Sequence, residues 1–392
     1  MMLALAAIIG LASCSTEEVI SGGNTNGGDS FVEDKGKNEL KSVSLKLVSE
    51  TSSTRAENNS VSNSSKVVFN GGYLLFASEQ HNITKVTAIT NANPNVNNDS
   101  EIDINLLTAS GGAEISNVPG HSKYAYVIGN VPAEIGSPTT GQSIAALKQK
   151  LVLYSSQGNI SSVALFGGND ITLDNSLNKY VSRFKLAPLA ARLEIGKISS
   201  ALGSDIDSFR VDGIFINNYY GAVSLAGDAP AAAIKNTNVA DFAQPSSAYP
   251  ATDAGILFDY KDAANFSLGI SADNGRSYTP STGDAWTYNP LAPKTCSVEA
   301  LTTPHIVIRL SGIHTANGVD YNGEWYLTIS GLKVGNSKVN YLEPGKVYSI
   351  KNIAFSHSNI QPEPEMKTMD VTVEVNLVEW EVSDTDVIFG QE

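Results

Sequence analysis

Residues 369–382 read MDVTVEVNLVEWEV, the cleanest two-residue alternation in the chain. Val371, Val373, Val375 and Leu377 fall on one side of it, and Asp370, Thr372, Glu374 and Asn376 on the other. Successive side chains of an extended backbone point to opposite faces, so the stretch spells a β-strand with one buried side. Upstream it is set off by QPEPE at residues 361–365, whose prolines bar a central strand. Downstream, residues 383–392 carry a second apolar group that includes Val387 and Phe389.

The same period recurs at the other end. Residues 41–48 read KSVSLKLV, with Val43, Leu45 and Leu47 on one face. Between the two ends lie short apolar or alternating runs at residues 67–69, 73–76, 86–89, 102–107, 124–128 and 163–166, separated by Asn, Gly and Pro. One segment, residues 143–154, has helical spacing at Ile144, Leu147 and Leu151. A second β-rich block begins near Lys185, with strands expected at 189–195, 209–216, 256–260, 305–310, 325–329 and 347–355. Residues 235–281 and 283–295 read as long loops. Many short strands with turn signals between them predict an all-β protein of β-sandwiches with one short helix.

Composition agrees. Of 392 residues, 42% are hydrophobic, enough for a sizeable core, while only 17% are charged, and Gly, Asn, Ser and Thr fill the difference. The net charge of −14 argues against a nucleic-acid partner, because phosphate binding needs a Lys/Arg surface. The two cysteines, Cys14 and Cys296, provide no disulfide framework if Cys14 carries lipid.

Residues 1–13, MMLALAAIIGLAS, form an apolar run too short to span a bilayer, and Cys14 follows directly. Residues 11–14 resemble a bacterial lipobox, which makes Cys14 the expected lipidation (palmitate) site. Residues 15–40 read as a flexible tether. Residues 50–65, ETSSTRAENNSVSNSS, have almost no apolar content and one cation, Arg55. Such a stretch is exposed and cleavable.

Taken together, these parts resemble the fimbrillins of Bacteroidales, the shaft subunits of type V pili. The resemblance is carried by Cys14, residues 53–56 (STRA), 188–195 (PLAARLEI), 213–220 (GIFINNYY), 342–348 (LEPGKVY) and the strand at 371–380. It implies two transthyretin-like β-sandwich domains in tandem, residues 41–185 and 186–365, with a C-terminal donor strand or appendage at 366–392. It further implies a precursor exported to the outer membrane as a lipoprotein, and an Arg-specific surface protease cutting between Arg55 and Ala56. The first strand then leaves, and a C-terminal strand of the next fimbrial subunit takes its place. A receptor on a host or bacterial surface is an implied partner of the finished fibre.

The residues support that sequence of events independently. Losing the strand of Val43, Leu45 and Leu47 would open an unpaired edge and an apolar slot, both unfavourable in water. An incoming strand of like alternation repairs both by strand addition. Two donors fit: Val371, Val373, Val375 and Leu377, or the final segment with Val387 and Phe389.

No catalytic constellation, cofactor motif or metal-ligand cluster is expected. The five histidines are scattered, and Asp205, Asp207 and Asp212 do not have EF-hand spacing. Two rival readings remain. One is a surface glycan-binding lipoprotein of a polysaccharide-uptake system using Tyr219, Tyr220, Trp325 or Tyr326. The other is an uncut anchor or tip subunit of the fimbria.

Overall fold

The computed structural model describes residues 39–47, 67–92, 94–109, 111–157, 163–230, 234–235, 258–260, 269–281, 284–296, 302–366, 368–372, 374–376 and 382–383. Cys14, Arg55, Ala56, Val373, Leu377, Val387 and Phe389 lie outside these residues. Among the described residues the chain is predominantly β-sheet.

The first half builds two sheets. A four-stranded sheet has the order Thr172–Asp174, Lys179–Phe184, Leu40–Leu47, Ala113–Pro119. A six-stranded sheet has the order Ala187–Pro188, Leu165–Asp170, Ser122–Gly129, Gly72–Ser78, Ile83–Thr90, Glu101–Asp103. One apolar core lies between them and contains Val43, Leu45, Ile115 and Val118 from the first sheet, with Leu74, Phe76, Val127 and Leu165 from the second. The opposite face of the six-stranded sheet is apolar too. Leu75, Ala77, Tyr126, Ile128 and Phe166 join a second core that runs into the other half of the chain. Burial on both faces is why residues 74–77 read as an unbroken apolar run instead of an alternating one.

The second half repeats the arrangement. Its first strand, Arg192–Ile195, lies between Trp286–Tyr288 (antiparallel) and Val347–Ile350 (parallel), and Glu374–Asn376 pairs with the far side of Val347–Ile350. Across the second core stands a sheet centred on the long strands Ile206–Asn217, His305–Thr315 and Trp325–Val334. Their buried residues include Ile214, Ile216, Ile306, Ile308, Leu310, Leu327 and Ile329.

Several elements differ from the sequence expectation. The predicted helix at 143–154 is shorter. Ile144–Gln149 is helical, with the Ser143 hydroxyl accepting from the Ala146 amide, and Leu151–Leu153 is a strand. That strand pairs with Ala222–Ser224 of the second half, so a tertiary ladder overrides local helical spacing. A second short helix, Ile104–Thr108, occupies part of the run read as strand at 102–107. Asp103 caps it by accepting from the Asn105 amide, and Ile104 and Leu107 are buried one turn apart. Within the stretches read as loops, Ile270–Ala272, Ser277–Thr279 and Trp286–Tyr288 are strands. They are short and Thr/Ser/Tyr-rich, which hides their period.

Candidate functional site

The site begins with the Leu40–Leu47 strand. It runs parallel to Lys179–Phe184, with Val43 opposite Tyr180 and Leu47 opposite Phe184. On its other side it is antiparallel to Ala113–Pro119, with Val43 opposite Ile115 and Leu45 opposite Ala113. Val43 and Leu45 are completely buried in the first core. The predicted face is therefore central to the first half of the chain. Burial of these two side chains contributes about 3–6 kcal/mol.

Two further residues fix the seat of this strand. Gly112 sits at φ +68°, and a Cβ there would stand 2.2 Å from the Leu45 carbonyl oxygen. Only glycine permits so close an approach of the two backbones. Lys41, on the same alternating side as Val43 and Leu45, is buried as well. Its Nζ donates to the Ser122 carbonyl oxygen at 2.6 Å and lies 4.4 Å from the centre of the Tyr180 ring. Sequence reading missed Lys41, although a cation on the apolar side of an alternating strand was the available signal.

The two flanking strands have anchors of their own. Ala113–Pro119 continues through a turn into Ser122–Gly129 of the opposite sheet. Lys85 Nζ donates to the Ser116 carbonyl oxygen at 2.7 Å, and Asn97 donates to that of Glu114 at 3.0 Å. Asn117, at φ +54°, donates to both carboxylate oxygens of Asp99 at 2.9 and 2.8 Å. Those hydrogen bonds and the one from Lys85 hold the Asp99 carboxyl below the usual carboxylate range. On the other flank, Lys179–Phe184 pairs with Thr172–Asp174, and Asn169 donates to the Arg183 carbonyl oxygen at 2.8 Å. Neither set of contacts involves the Leu40–Leu47 strand, so each wall has support that does not depend on it.

The C-terminal strand is placed differently. Thr368–Thr372 runs parallel to Trp325–Val334, and Val371 is buried in the second core. Val375 pairs opposite Tyr348 within Glu374–Asn376. Thr368–Thr372 and Glu374–Asn376 thus belong to different sheets of the second half. Val382–Ser383 then pairs in parallel with Val67–Val68, back in the first half. The turn before Thr368–Thr372 is pinned by Glu365, whose carboxylate lies 2.9 Å from His305 Nδ1 and accepts from Asn217 at 3.1 Å. Burial alone would raise the Glu365 pKa, yet the hydrogen bond and charge of His305 and the bond from Asn217 bring it below its ordinary value.

The remaining candidate residues disperse. Asp205 pairs with His357, Asp207 with Arg276 and Asp212 with Arg210. Among the described residues no three His, Cys, Asp or Glu side chains are grouped to hold a metal ion. Tyr219, Tyr220 and Tyr326 are 3%, 1% and 3% exposed, which removes them as a sugar-stacking platform. Trp325 is half-buried, edge-on to Tyr321.

No family model matches the chain, and no curated protein matches it by sequence. Solved structures do match it in fold. A Parabacteroides distasonis protein, provisionally described as a cell adhesion protein, superposes with a TM-score of 0.52 at 14% identity, over 88% of this chain and 98% of that one. A Bacteroides eggerthii protein with the same provisional description gives 0.51 at 12% identity, over 87% and 96%. The fimbrilin of Porphyromonas gingivalis W83 gives 0.50 at 10% identity, over 88% and 98%. The chain shares the fold of these structures along nearly their whole length.

Proposed function

We propose that this chain is a structural subunit of a surface fimbria that polymerises by strand replacement after proteolysis at Arg55. One observation carries the reading. The Leu40–Leu47 strand fills a slot between two independently anchored strands, with Val43 and Leu45 inside the core. The polar stretch that follows it in sequence offers Arg55 to a trypsin-like, Arg-specific protease. The fold shared with the Porphyromonas gingivalis fimbrilin supports the same reading.

In this scheme the precursor reaches the outer membrane with lipid on Cys14. Cleavage between Arg55 and Ala56 frees the first strand, and its departure exposes apolar side chains and two unpaired edges. A C-terminal strand of the next subunit restores both, through Val371, Val373, Val375 and Leu377 or through the final segment with Val387 and Phe389. Contacts of this head-to-tail kind do not close on themselves and therefore build filaments. The finished fibre serves adhesion to a host or bacterial surface.

The test is Arg55→Ala. The variant precursor is expected to remain uncut, and surface fibres containing it to disappear. N-terminal sequencing of sheared wild-type fibres is expected to begin at Ala56. Normal fibres from Arg55→Ala overturn the proposal, and fibres whose chains start at a lipidated Cys14 assign the protein instead to an uncut anchor position.

A further inference from the structure

Within the slot, Lys41 is a buried cation. Lys41 Nζ donates to the Ser122 carbonyl oxygen at 2.6 Å and stands 4.4 Å from the Tyr180 ring centre, and both partners belong to strands other than Leu40–Leu47. Ser122 itself is completely buried. When the first strand departs, its ammonium goes with it, while the carbonyl and the ring face stay on the walls. A buried carbonyl that loses a charged donor is costly to leave unanswered, and an aromatic face beside it favours another cation.

We propose that Ser122 and Tyr180 form a cation subsite that selects the incoming strand, and that its occupant is Lys367 of a second copy of this chain. The inference rests on the strand-replacement reading above and makes it specific. Residues 41–47 read KSVSLKL and residues 367–373 read KTMDVTV. In each, a lysine is followed at intervals of two by three apolar residues: Val43, Leu45 and Leu47 in the first, Met369, Val371 and Val373 in the second. Superposed on that pattern, Lys367 takes the seat of Lys41.

The pattern also fixes direction and segment. If the C-terminal strand entered reversed, the position beyond Leu377 on the same face would be Glu379, a carboxylate set against a carbonyl oxygen and a π face. Residues 383–392 contain no Lys or Arg at all. The donor therefore enters in the direction of the strand it replaces, parallel to Lys179–Phe184 and antiparallel to Ala113–Pro119. To do so, Thr368–Thr372 gives up its ladder with Trp325–Val334 in its own subunit and the half-exposed Lys333–Asp370 ion pair. Exposed pairs of that kind hold weakly.

The experiment uses the full chain, cut with an Arg-specific protease that is then inhibited, and labelled synthetic peptides. Capture is read by fluorescence anisotropy. A peptide of residues 365–378 is expected to be captured by the cut chain and not by the uncut chain. Lys367→Met in the peptide is expected to weaken capture about tenfold, the usual scale for one hydrogen bond to a charged group. Lys367→Glu should weaken it further, and a peptide of residues 383–392 should fail to compete. In the protein, Tyr180→Leu should narrow the gap between the unsubstituted peptide and the Lys367→Met peptide while leaving capture of the latter in place. Equal capture of the Lys367→Glu peptide, or preference for 383–392, overturns the cation subsite while leaving strand replacement standing. Failure of the cut chain to capture any of these peptides, including one of residues 39–48, overturns strand replacement itself.

Discussion

The first strands of the two halves occupy the same topological seat. Leu40–Leu47 and Arg192–Ile195 each lie between a parallel strand and an antiparallel one, and each carries a buried cation. They differ in where that cation finds its partner. Arg192 pairs at 2.9 Å with Glu194, two residues along the same strand, and Ser349 donates to Glu194 at 2.6 Å. Burial lowers the Arg192 pKa, and the charge of Glu194 opposes that. Lys41 has Ser122 and Tyr180, on the opposite sheet and on the neighbouring strand. One strand thus carries a counter-charge of its own, while the other leaves recognisable polar groups behind on its walls if it is removed. The second strand is also tied into the chain on both sides by short connections, whereas the first is followed by the polar stretch with Arg55.

The comparison breaks most readily at the self-contained pair. Glu194→Gln removes the negative charge beside the buried Arg192 guanidinium and is expected to lower stability by about 3–5 kcal/mol. Urea unfolding of the cut and uncut chain should show the same loss in both, because this strand stays. A cost below about 1 kcal/mol would mean that other groups satisfy Arg192 without Glu194.

A sharper contrast comes from matched core truncations. Leu45→Ala and Leu193→Ala each remove a fully buried side chain, at an expected cost of about 2–5 kcal/mol to the uncut chain. In assembled fibres the Leu193→Ala cost should persist and the Leu45→Ala cost should vanish, since the proposed strand replacement would remove residue 45. Thermal dissociation of sheared fibres reads the difference directly. A Leu45→Ala fibre as weakened as a Leu193→Ala fibre would show that the first strand never left.

The smallest expected effect concerns the turn that launches the C-terminal strand. The folded pKa of Glu365 lies below its ordinary value, so the stability it contributes is fully present above the usual carboxylate range. That contribution is lost as pH falls through the folded pKa. Glu365→Gln should therefore flatten the acid side of the stability profile by about 1 kcal/mol or less and leave neutral-pH assembly intact. An unchanged acid limb would show that His305 does not hold the turn through that carboxylate.

Much of this is legible in the amino-acid sequence. The alternation at residues 41–48 foretold both the strand and its buried face, because a period of two leaves no other way to hide Val43 and Leu45 together. The alternation around Val371 and Val375 is equally clear as a strand pattern, but not the sheet it joins, since the same pattern suits a home sheet and a neighbour's slot. Leu151–Leu153 reads as helix in sequence because its ladder partner lies some 70 residues downstream. Residues 102–107 (IDINLL) suit a short helix as well as a short strand, since six residues hold too little of either period to separate them. The role of Gly112 is invisible in sequence, since glycine signals a turn equally well whether or not a carbonyl lies 2.2 Å from where its Cβ would be.

The amino-acid order alone settled the class of architecture, the segments able to form half-buried strands and the apolar character of the face the first strand would hide. Those follow from side-chain periodicity, a property local to the backbone. Which strands became neighbours, which of them was central, and where Lys41 found an oxygen and an aromatic ring were decided only when distant segments packed together. Partnership in a sheet depends on contacts between residues far apart in the chain, and no local pattern encodes them.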